Sequence, residues 1–184
     1  VSSLGTVAIA SYAVASNLVT FEYLVGNAIG LGIITIVGQC VGAGESEQAK
    51  QYTKKLVLVN YAALVVICSL MILFRNQVVG IYNLSPEATR TSAEMLFAHS
   101  LAMVVWPLAF TIPYSLRASF DAPFTMYVSV ASMWIFRIAS AYFFVKVLNL
   151  GVMGVWYGMY IDWVFRGLLF VNRFHHFGQK RKIL

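Results

Sequence analysis

Residues 55–74 read KLVLVNYAALVVICSLMILF, and no charged side chain lies between Lys55 and Arg75. About 20 consecutive apolar residues form a helix long enough to cross the hydrocarbon core of a bilayer. A membrane-spanning strand would instead alternate between apolar and polar residues over about ten positions, and this stretch does not alternate. We therefore predict that residues 55–74 form a transmembrane helix.

Four further segments of the chain share this pattern, at about 7–37, 92–116, 123–147 and 151–173. Of the 184 residues, 60% are hydrophobic and 11% are charged, whereas soluble domains carry about 25% charged residues. A soluble domain this apolar would expose patches that aggregate, and a disordered chain needs the opposite composition. We predict an all-α integral membrane protein in which residues 1–184 form one domain with five transmembrane helices.

The short connections between the predicted helices carry Lys and Arg unevenly. One side holds Lys50, Lys54, Lys55, Arg117, Arg173, Lys180, Arg181 and Lys182, and the other holds Arg75, Arg90 and Lys146. Basic residues accumulate on the cytoplasmic side, so we predict a multi-pass protein of the cell (inner) membrane with a cytoplasmic C-terminus. The basic residues lie at helix ends rather than in a patch with exposed aromatic residues, so we expect the lipid bilayer as a partner and no nucleic acid.

Five helices with a cytoplasmic C-terminus place Val1 outside the cell. The sequence begins Val1-Ser2-Ser3, without a Met and without the charged segment or cleavage site of a signal peptide. We therefore expect a further helix upstream and interpret the chain as part of a longer protein.

Several motifs follow one another along the chain. The first predicted helix opens with Gly5-Thr6-Val7-Ala8-Ile9-Ala10 and closes with Val37-Gly38-Gln39-Cys40-Val41-Gly42-Ala43-Gly44; later come Ser115-Leu116-Arg117-Ala118-Ser119-Phe120-Asp121 and Leu150-Gly151-Val152-Met153-Gly154-Val155-Trp156. In their order and spacing these motifs resemble the C-terminal half of a multidrug and toxic compound extrusion (MATE) transporter.

The resemblance implies a larger architecture. Members of the family have twelve helices in two six-helix lobes, with both termini in the cytoplasm and a substrate cavity between the lobes. The five predicted helices would be helices eight to twelve, and the missing N-terminal lobe of the same chain would be their partner. The implied activity is secondary active efflux of cationic or amphipathic drugs and toxic compounds by antiport with sodium or protons, with a small-molecule cationic substrate and no other cofactor.

The chain departs from the family pattern at two places. Ala118 and Phe120 stand where the family loop has glycines, so this turn is less permissive. Some members carry a cation-binding acid in the tenth helix, where this chain has Trp106-Pro107. The family's coupling residues are therefore not carried over, and the choice between sodium and protons stays open.

Two other functions stay open as well. A lipid-linked saccharide flippase of the same superfamily would be favoured by several arginines in the cavity, and Arg137 alone is weak support. A non-transporting membrane scaffold subunit would need only structural polar pairs. We expect neither an enzyme nor a metal site, because His99 has no acid or nucleophile in sequence reach and His175 and His176 lack metal-ligand spacing.

Four charged residues fall inside the predicted helices: Glu22, Arg137, Asp162 and Arg166. A charge at mid-bilayer costs at least about 2.5 kcal/mol, so each should face protein or water. Asp162 and Arg166 are four residues apart, which predicts a structural pair on one helix. Alternatively, Asp162 and Arg137 line the cavity and touch cation or substrate. Glu22 is predicted either to pair with Arg137 as a latch or to serve as a cavity acid.

Weakly polar residues and prolines mark two of the predicted helices. Ser16, Thr20 and Asn27 share one side of the first helix beside Gly26 and Gly30, a pattern that predicts close packing or, for Asn27, contact with substrate or cation. Pro107 and Pro113 interrupt the third predicted helix and are expected to kink it, either as a bending element or as a static feature of packing.

Overall fold

The structure is a computed structural model, and it describes residues 5–176. Its α-helices are α1 (Thr6–Gly42), α2 (Ser46–Gly80), α3 (Pro86–Ala102), α4 (Ile112–Ala118), α5 (Ala122–Ser132), α6 (Ala139–Lys146) and α7 (Gly151–His175). A first π-helical segment, Pro107–Thr111, precedes α4, and a second, Met133–Ile138, joins α5 to α6. Every regular element from residue 5 to residue 176 is helical, and the prediction of an all-α fold is confirmed for this part of the chain.

Judged by length and hydropathy, fewer helices of the described range qualify as membrane spans than the five predicted. Within residues 5–176, three stretches are long and apolar enough to cross a membrane, namely Thr6–Gly42, Ser46–Gly80 and Ala122–Lys146. The pair Pro86–Ala102 and Pro107–Ala118 makes a fourth if its two halves count as one bent span. α7 is 25 residues long but carries Asp162 and Arg166 near its middle and does not meet this measure. Five spans, numbered eight to twelve of twelve, therefore remain a prediction.

The first two helices are longer than the membrane requires. α1 has 37 residues, which corresponds to about 55 Å at 1.5 Å per residue, against a hydrocarbon core of about 30 Å. α2 begins at Ser46 and runs unbroken to Gly80, so the charged residues around Glu47 belong to the first turns of a long helix. The tight turn between α1 and α2 uses Gly44, whose φ of 81° favours glycine.

The third predicted span is strongly bent. Ser85 caps α3 by accepting a hydrogen bond from the Ala88 amide at 3.3 Å, and the two limbs of the span then meet at 64° across the break before Pro107. Pro107 lacks an amide donor and begins the first π-helical segment, which accounts for a bend at this point. Pro113 lies in the first turn of α4, within the second limb.

Two sets of contacts involve residues that the charge pattern assigns to opposite sides of the membrane. Arg173 near the end of α7 donates two hydrogen bonds to Asp121 in the α4–α5 connection, at 2.6 and 3.0 Å. At the opposite end, Arg75 of α2 and Arg90 of α3 border the same groove. Which end faces the cytoplasm remains a prediction, and Lys180, Arg181 and Lys182, on which it partly relies, lie outside the described residues, as does Val1.

α1 packs against α2, α3 and α4. The small residues on α1 permit this closeness, because a Cβ atom at Gly26 would collide with Trp106 and one at Gly30 would collide with Tyr114. The outer surface is apolar, with large side chains such as Leu58, Leu73, Trp134 and Tyr142 exposed. In a membrane protein such a surface faces lipid or other protein.

Candidate functional site

Glu22 is completely buried on α1, and its side chain is directed at the end of α3. Its Oε1 atom accepts a hydrogen bond from the Ser100 hydroxyl. Its Oε2 atom lies 3.6 Å from Nε2 of His99, which is longer than a hydrogen bond. Glu22 Oε2 and both ring nitrogens of His99 are buried without a hydrogen-bond partner among the described residues. The carboxylate is therefore only half satisfied.

Aromatic rings of α7 close this region. The His99 ring lies 5.1 Å from the ring of Trp156, 5.4 Å from that of Trp163 and 6.0 Å from that of Tyr160, measured between centroids. The Tyr160 hydroxyl is also buried without a partner among residues 5–176. We call Glu22, His99, Ser100 and Tyr160 the Glu22 cluster. It joins a carboxylate, an imidazole and two hydroxyls in the interior of the bundle, a set of groups that can take up and release a proton.

Two open spaces each reach one member of the Glu22 cluster. A cavity of about 240 Å³ reaches His99 and is lined by Tyr12, Ser16, Val19, Tyr23, Arg137, Val155, Trp156, Met159 and Trp163 as well. A wider groove of about 1190 Å³ runs between the end of α2, α3 and α7, where Arg75, Arg90 and Glu94 border it, and reaches Tyr160. Each space therefore reaches one member of the cluster.

Arg137 is the charged residue of the small cavity. It lies half-buried in the second π-helical segment, and none of the ion pairs found among residues 5–176 involves it. The latch between Glu22 and Arg137 is not formed, because Ser100 and His99 take the place of the arginine beside the carboxylate. π-Helical segments inside α-helices are often found at functional sites, and this one carries Arg137.

Asp162 has both carboxylate oxygens occupied by neighbours. Oδ1 accepts a hydrogen bond from Ser132 Oγ at 2.6 Å, and Oδ2 accepts one from Arg166 Nη2 at 2.7 Å. The Arg166 guanidinium also lies over the Phe110 ring at 5.3 Å. The pair expected from the four-residue spacing is present, and Asp162 does not line the cavity beside Arg137. This geometry favours the structural interpretation of Asp162 over a role in binding cation or substrate.

The remaining polar candidates connect helices. Asn27 Oδ1 accepts a hydrogen bond from the Tyr114 hydroxyl at 3.5 Å, a long contact between α1 and α4. Asn60 of α2, which the sequence does not single out, donates to Thr111 Oγ1 at 2.6 Å within the core. Asn60 therefore anchors α2 to the last residue of the first π-helical segment.

Sequence reasoning missed the part played by His99, which it treats as an isolated imidazole. A usable signal was present on α3, where Ser92, His99 and Ser100 lie at helical spacing on one face with Leu96. These four side chains are all buried, and Ser92 donates to the backbone oxygens of Ala88 and Ser11. A polar stripe within an apolar helix indicates the face that packs on another helix.

No group of three or more His, Cys, Asp or Glu side chains within residues 5–176 is arranged to hold a metal ion. The site is built from a single buried acid, one imidazole and aromatic walls. Together with the long apolar helices, it defines a multi-pass α-helical membrane protein with a polar centre in its interior.

Comparison with known proteins assigns this membrane protein to a family. The MatE family matches residues 1–143, more than half of the chain, and the chain belongs to this family. The sequence is 26% identical over 176 residues to the uncharacterized transporter YisQ of Bacillus subtilis, covering 94% of this chain and 38% of YisQ.

Two further relatives carry the name probable multidrug resistance protein NorM. The chain is 24% identical over 158 residues to the protein from Bacillus subtilis, covering 86% of this chain and 35% of the relative. It is also 24% identical over 165 residues to the protein from Thermotoga maritima, covering 90% of this chain and 36% of the relative. The chain thus spans little more than a third of the length of these relatives, and the resemblance found in the sequence motifs is confirmed at the level of the family.

Proposed function

We propose that the complete transporter to which this chain contributes exports cationic and amphipathic compounds from the cell, by antiport with protons or sodium ions. Membership of the MatE family and similarity to proteins named probable multidrug resistance protein support export of drugs. The observation that carries the coupling part of the proposal is the buried, half-satisfied carboxylate of Glu22.

The Glu22 cluster is the proposed binding site of the coupling ion. An unneutralised carboxylate in a dry interior costs several kcal/mol, so Glu22 favours a state in which it holds a proton or a cation. It also joins α1 to α3 just before the bend at Pro107. Occupancy of Glu22 therefore alters the contact between these helices, and an ion and a substrate that prefer different arrangements would displace one another.

The donor set supports a proton more strongly than sodium. Hard cations are bound by several oxygen ligands, whereas the groups nearest to the free Oε2 atom of Glu22 include the imidazole of His99. A carboxylate and an imidazole in proximity share protons readily. We therefore propose proton coupling, with sodium as the alternative.

The two open spaces that reach the cluster support separate approaches for substrate and proton. Substrate would approach the aromatic side near Arg137, and protons would reach Tyr160 through the wide groove. The other lobe of the transporter would supply the facing wall of the substrate path, within the inner membrane and with the C-terminus of this chain in the cytoplasm. The flippase alternative gains little, since Arg137 alone among the residues lining the small cavity is an arginine.

The proposal is tested by expressing the complete transporter and measuring efflux of ethidium, an aromatic cation, from vesicles with either a proton gradient or a sodium gradient. We expect efflux under the proton gradient, and Glu22→Gln should abolish it. Glu87→Gln, which removes an exposed acid from the first turn of α3, is the matched control. Efflux driven by the sodium gradient alone would identify sodium, not the proton, as the coupling ion. The absence of efflux under either gradient would overturn the proposal.

A further inference from the structure

We infer that the wide groove between the end of α2, α3 and α7 binds one phospholipid with a negatively charged headgroup. Arginine side chains at one end of the groove bind the phosphate, and apolar side chains along its wall contact an acyl chain. Binding of a lipid requires no transport, so the inference does not depend on the proposed function.

The first observation is the position of the arginines. Arg75 lies near the C-terminal end of α2 and Arg90 in the second turn of α3, and both line the groove. The charge pattern of the sequence assigns both residues to the side of the membrane opposite the cytoplasm. Ends of membrane-spanning helices lie at the level of the lipid headgroups, so a phosphate at this depth is within reach of both side chains.

The second observation is the environment of Arg75. Its guanidinium lies over the Phe97 ring, 4.8 Å from the ring centroid, and none of the ion pairs found among residues 5–176 involves it. Stacking on a ring uses the face of a guanidinium and leaves the N–H groups at its edge available to an anion. Such a fork of donors binds two phosphate oxygens at once. Phe97 therefore orients a half-buried arginine for a phosphate.

The third observation is the net charge of the lining. Arg75, Arg90 and Glu94 are its charged residues, which leaves one positive charge in excess. Arg90 donates a hydrogen bond to Glu94 at 2.9 Å, but 84% and 56% of these two side chains are exposed. An exposed ion pair contributes little stability, so Arg90 exchanges Glu94 for a phosphate at small cost. The excess positive charge favours an anionic headgroup over a zwitterionic one.

The fourth observation is the apolar wall that α3 provides. Ala93, Phe97, Ala98 and Leu101 line the groove, and the side chains of Phe97 and Leu101 are exposed. From Pro86 to Leu101 the helix rises by about 22 Å at 1.5 Å per residue, which is more than half of a hydrocarbon core of about 30 Å. The groove is therefore long enough for a headgroup at the arginines and an acyl chain along one leaflet.

The size of the groove agrees with a long ligand. Its volume of about 1190 Å³ is above the range of about 300–1,000 Å³ that is typical of sites for small molecules. The acyl chain is placed against α3. The α7 side of the groove, with Tyr160, remains for the proposed path of protons.

The test is native mass spectrometry of the purified complete transporter with either dioleoylphosphatidylglycerol, which is anionic, or dioleoylphosphatidylcholine, which is zwitterionic and has the same chains. The measured quantity is the ratio of the two binding constants for the most tightly bound lipid. The variants are Arg75→Gln and Glu94→Gln. The matched control is Arg117→Gln, because Arg117 also lies over an aromatic ring, 5.2 Å from the centroid of Tyr114, and is not part of the groove.

We expect the unmodified protein to prefer the anionic lipid, and Arg75→Gln to lower this preference about fivefold, the order of magnitude for one basic side chain near an anionic membrane surface. Glu94→Gln should raise the preference, because it releases Arg90, and Arg117→Gln should leave it unchanged. The gain in Glu94→Gln separates a binding site from mere damage to the groove, since damage would not strengthen binding.

Three results would overturn the inference. The first is an unmodified protein that retains neither lipid, or both equally. The second is an equal effect of Arg75→Gln and Arg117→Gln, which would show a response to overall charge, or the absence of a gain in Glu94→Gln. The third is displacement of the anionic lipid by an equal concentration of glycerol phosphate, which has no acyl chains and would identify a site for a soluble phosphate. Ethidium efflux reports separately on the proposed function.

Discussion

Glu22 of α1 and His99 of α3 are brought together in the interior of the bundle, with 3.6 Å between Oε2 of the carboxylate and Nε2 of the imidazole. Neither atom has a hydrogen-bond partner in the described part of the chain. The two residues lie on helices joined through α2, and His99 is three residues from the end of α3, where the bend begins. A proton bound between these two side chains would change the charge of the site at the point where the helix bends.

The pair of Asp162 and Arg166 predicts a large loss of stability when one member is removed. Asp162→Ala leaves the Arg166 guanidinium buried without its carboxylate and should cost about 3 kcal/mol. Thermal unfolding of the purified protein in detergent measures this loss. The double variant Asp162→Ala with Arg166→Met should be more stable than Asp162→Ala alone, because no uncompensated charge remains. Additive losses in the double variant would argue against a structural pair.

The turn before α5 predicts a stabilising substitution. Phe120 adopts φ of 63°, a left-handed conformation that costs a side-chain-bearing residue about 1 kcal/mol or more. Phe120→Gly should therefore raise the unfolding temperature. The matched control is Ala118→Gly, because Ala118 is the last residue of helical α4 and a glycine there should be destabilising. If both substitutions raised the unfolding temperature, or both lowered it, backbone conformation would not be the deciding factor.

The contact between α6 and α7 predicts that Gly158 tolerates no side chain. A Cβ atom at Gly158 would lie 2.7 Å from the backbone nitrogen of Ala141 and 2.9 Å from its Cα. Gly158→Ala should thus force the two helices apart and cost about 1–3 kcal/mol, measured by unfolding in detergent. Gly38→Ala on α1 is the control, since a Cβ there meets nothing within 4 Å. An equally stable Gly158→Ala protein would mean that α6 and α7 are less closely packed.

The fold follows from the sequence as far as hydropathy determines it. The predicted segment 123–147 corresponds to the helical stretch Ala122–Lys146, and the predicted 151–173 to α7. The details that hydropathy misses depend on other forces. α2 continues into its charged first turns because Glu, Gln and Lys are good helix formers, and π-helical segments depend on backbone hydrogen bonding that no residue pattern specifies.

The site is predictable only where its residues share a helix. The four-residue spacing of Asp162 and Arg166 brings them into contact on α7. Glu22 and His99 meet through the packing of α1 on α3, and nothing in the sequence near either residue indicates the other. The expected partner, Arg137, lies beside the small cavity instead. Tertiary contacts between distant helices are the part that a single sequence leaves undetermined.

The central claim is that Glu22 carries the proton that a substrate displaces. It is tested most directly by adding ethidium to the purified complete transporter in weakly buffered detergent solution and following the released protons with a pH-sensitive dye. The account predicts release of about one proton per transporter, since ligands that favour different states exclude one another. Release should vanish in Glu22→Gln and persist in Glu87→Gln. An undiminished release from Glu22→Gln, with ethidium still bound, would contradict the account.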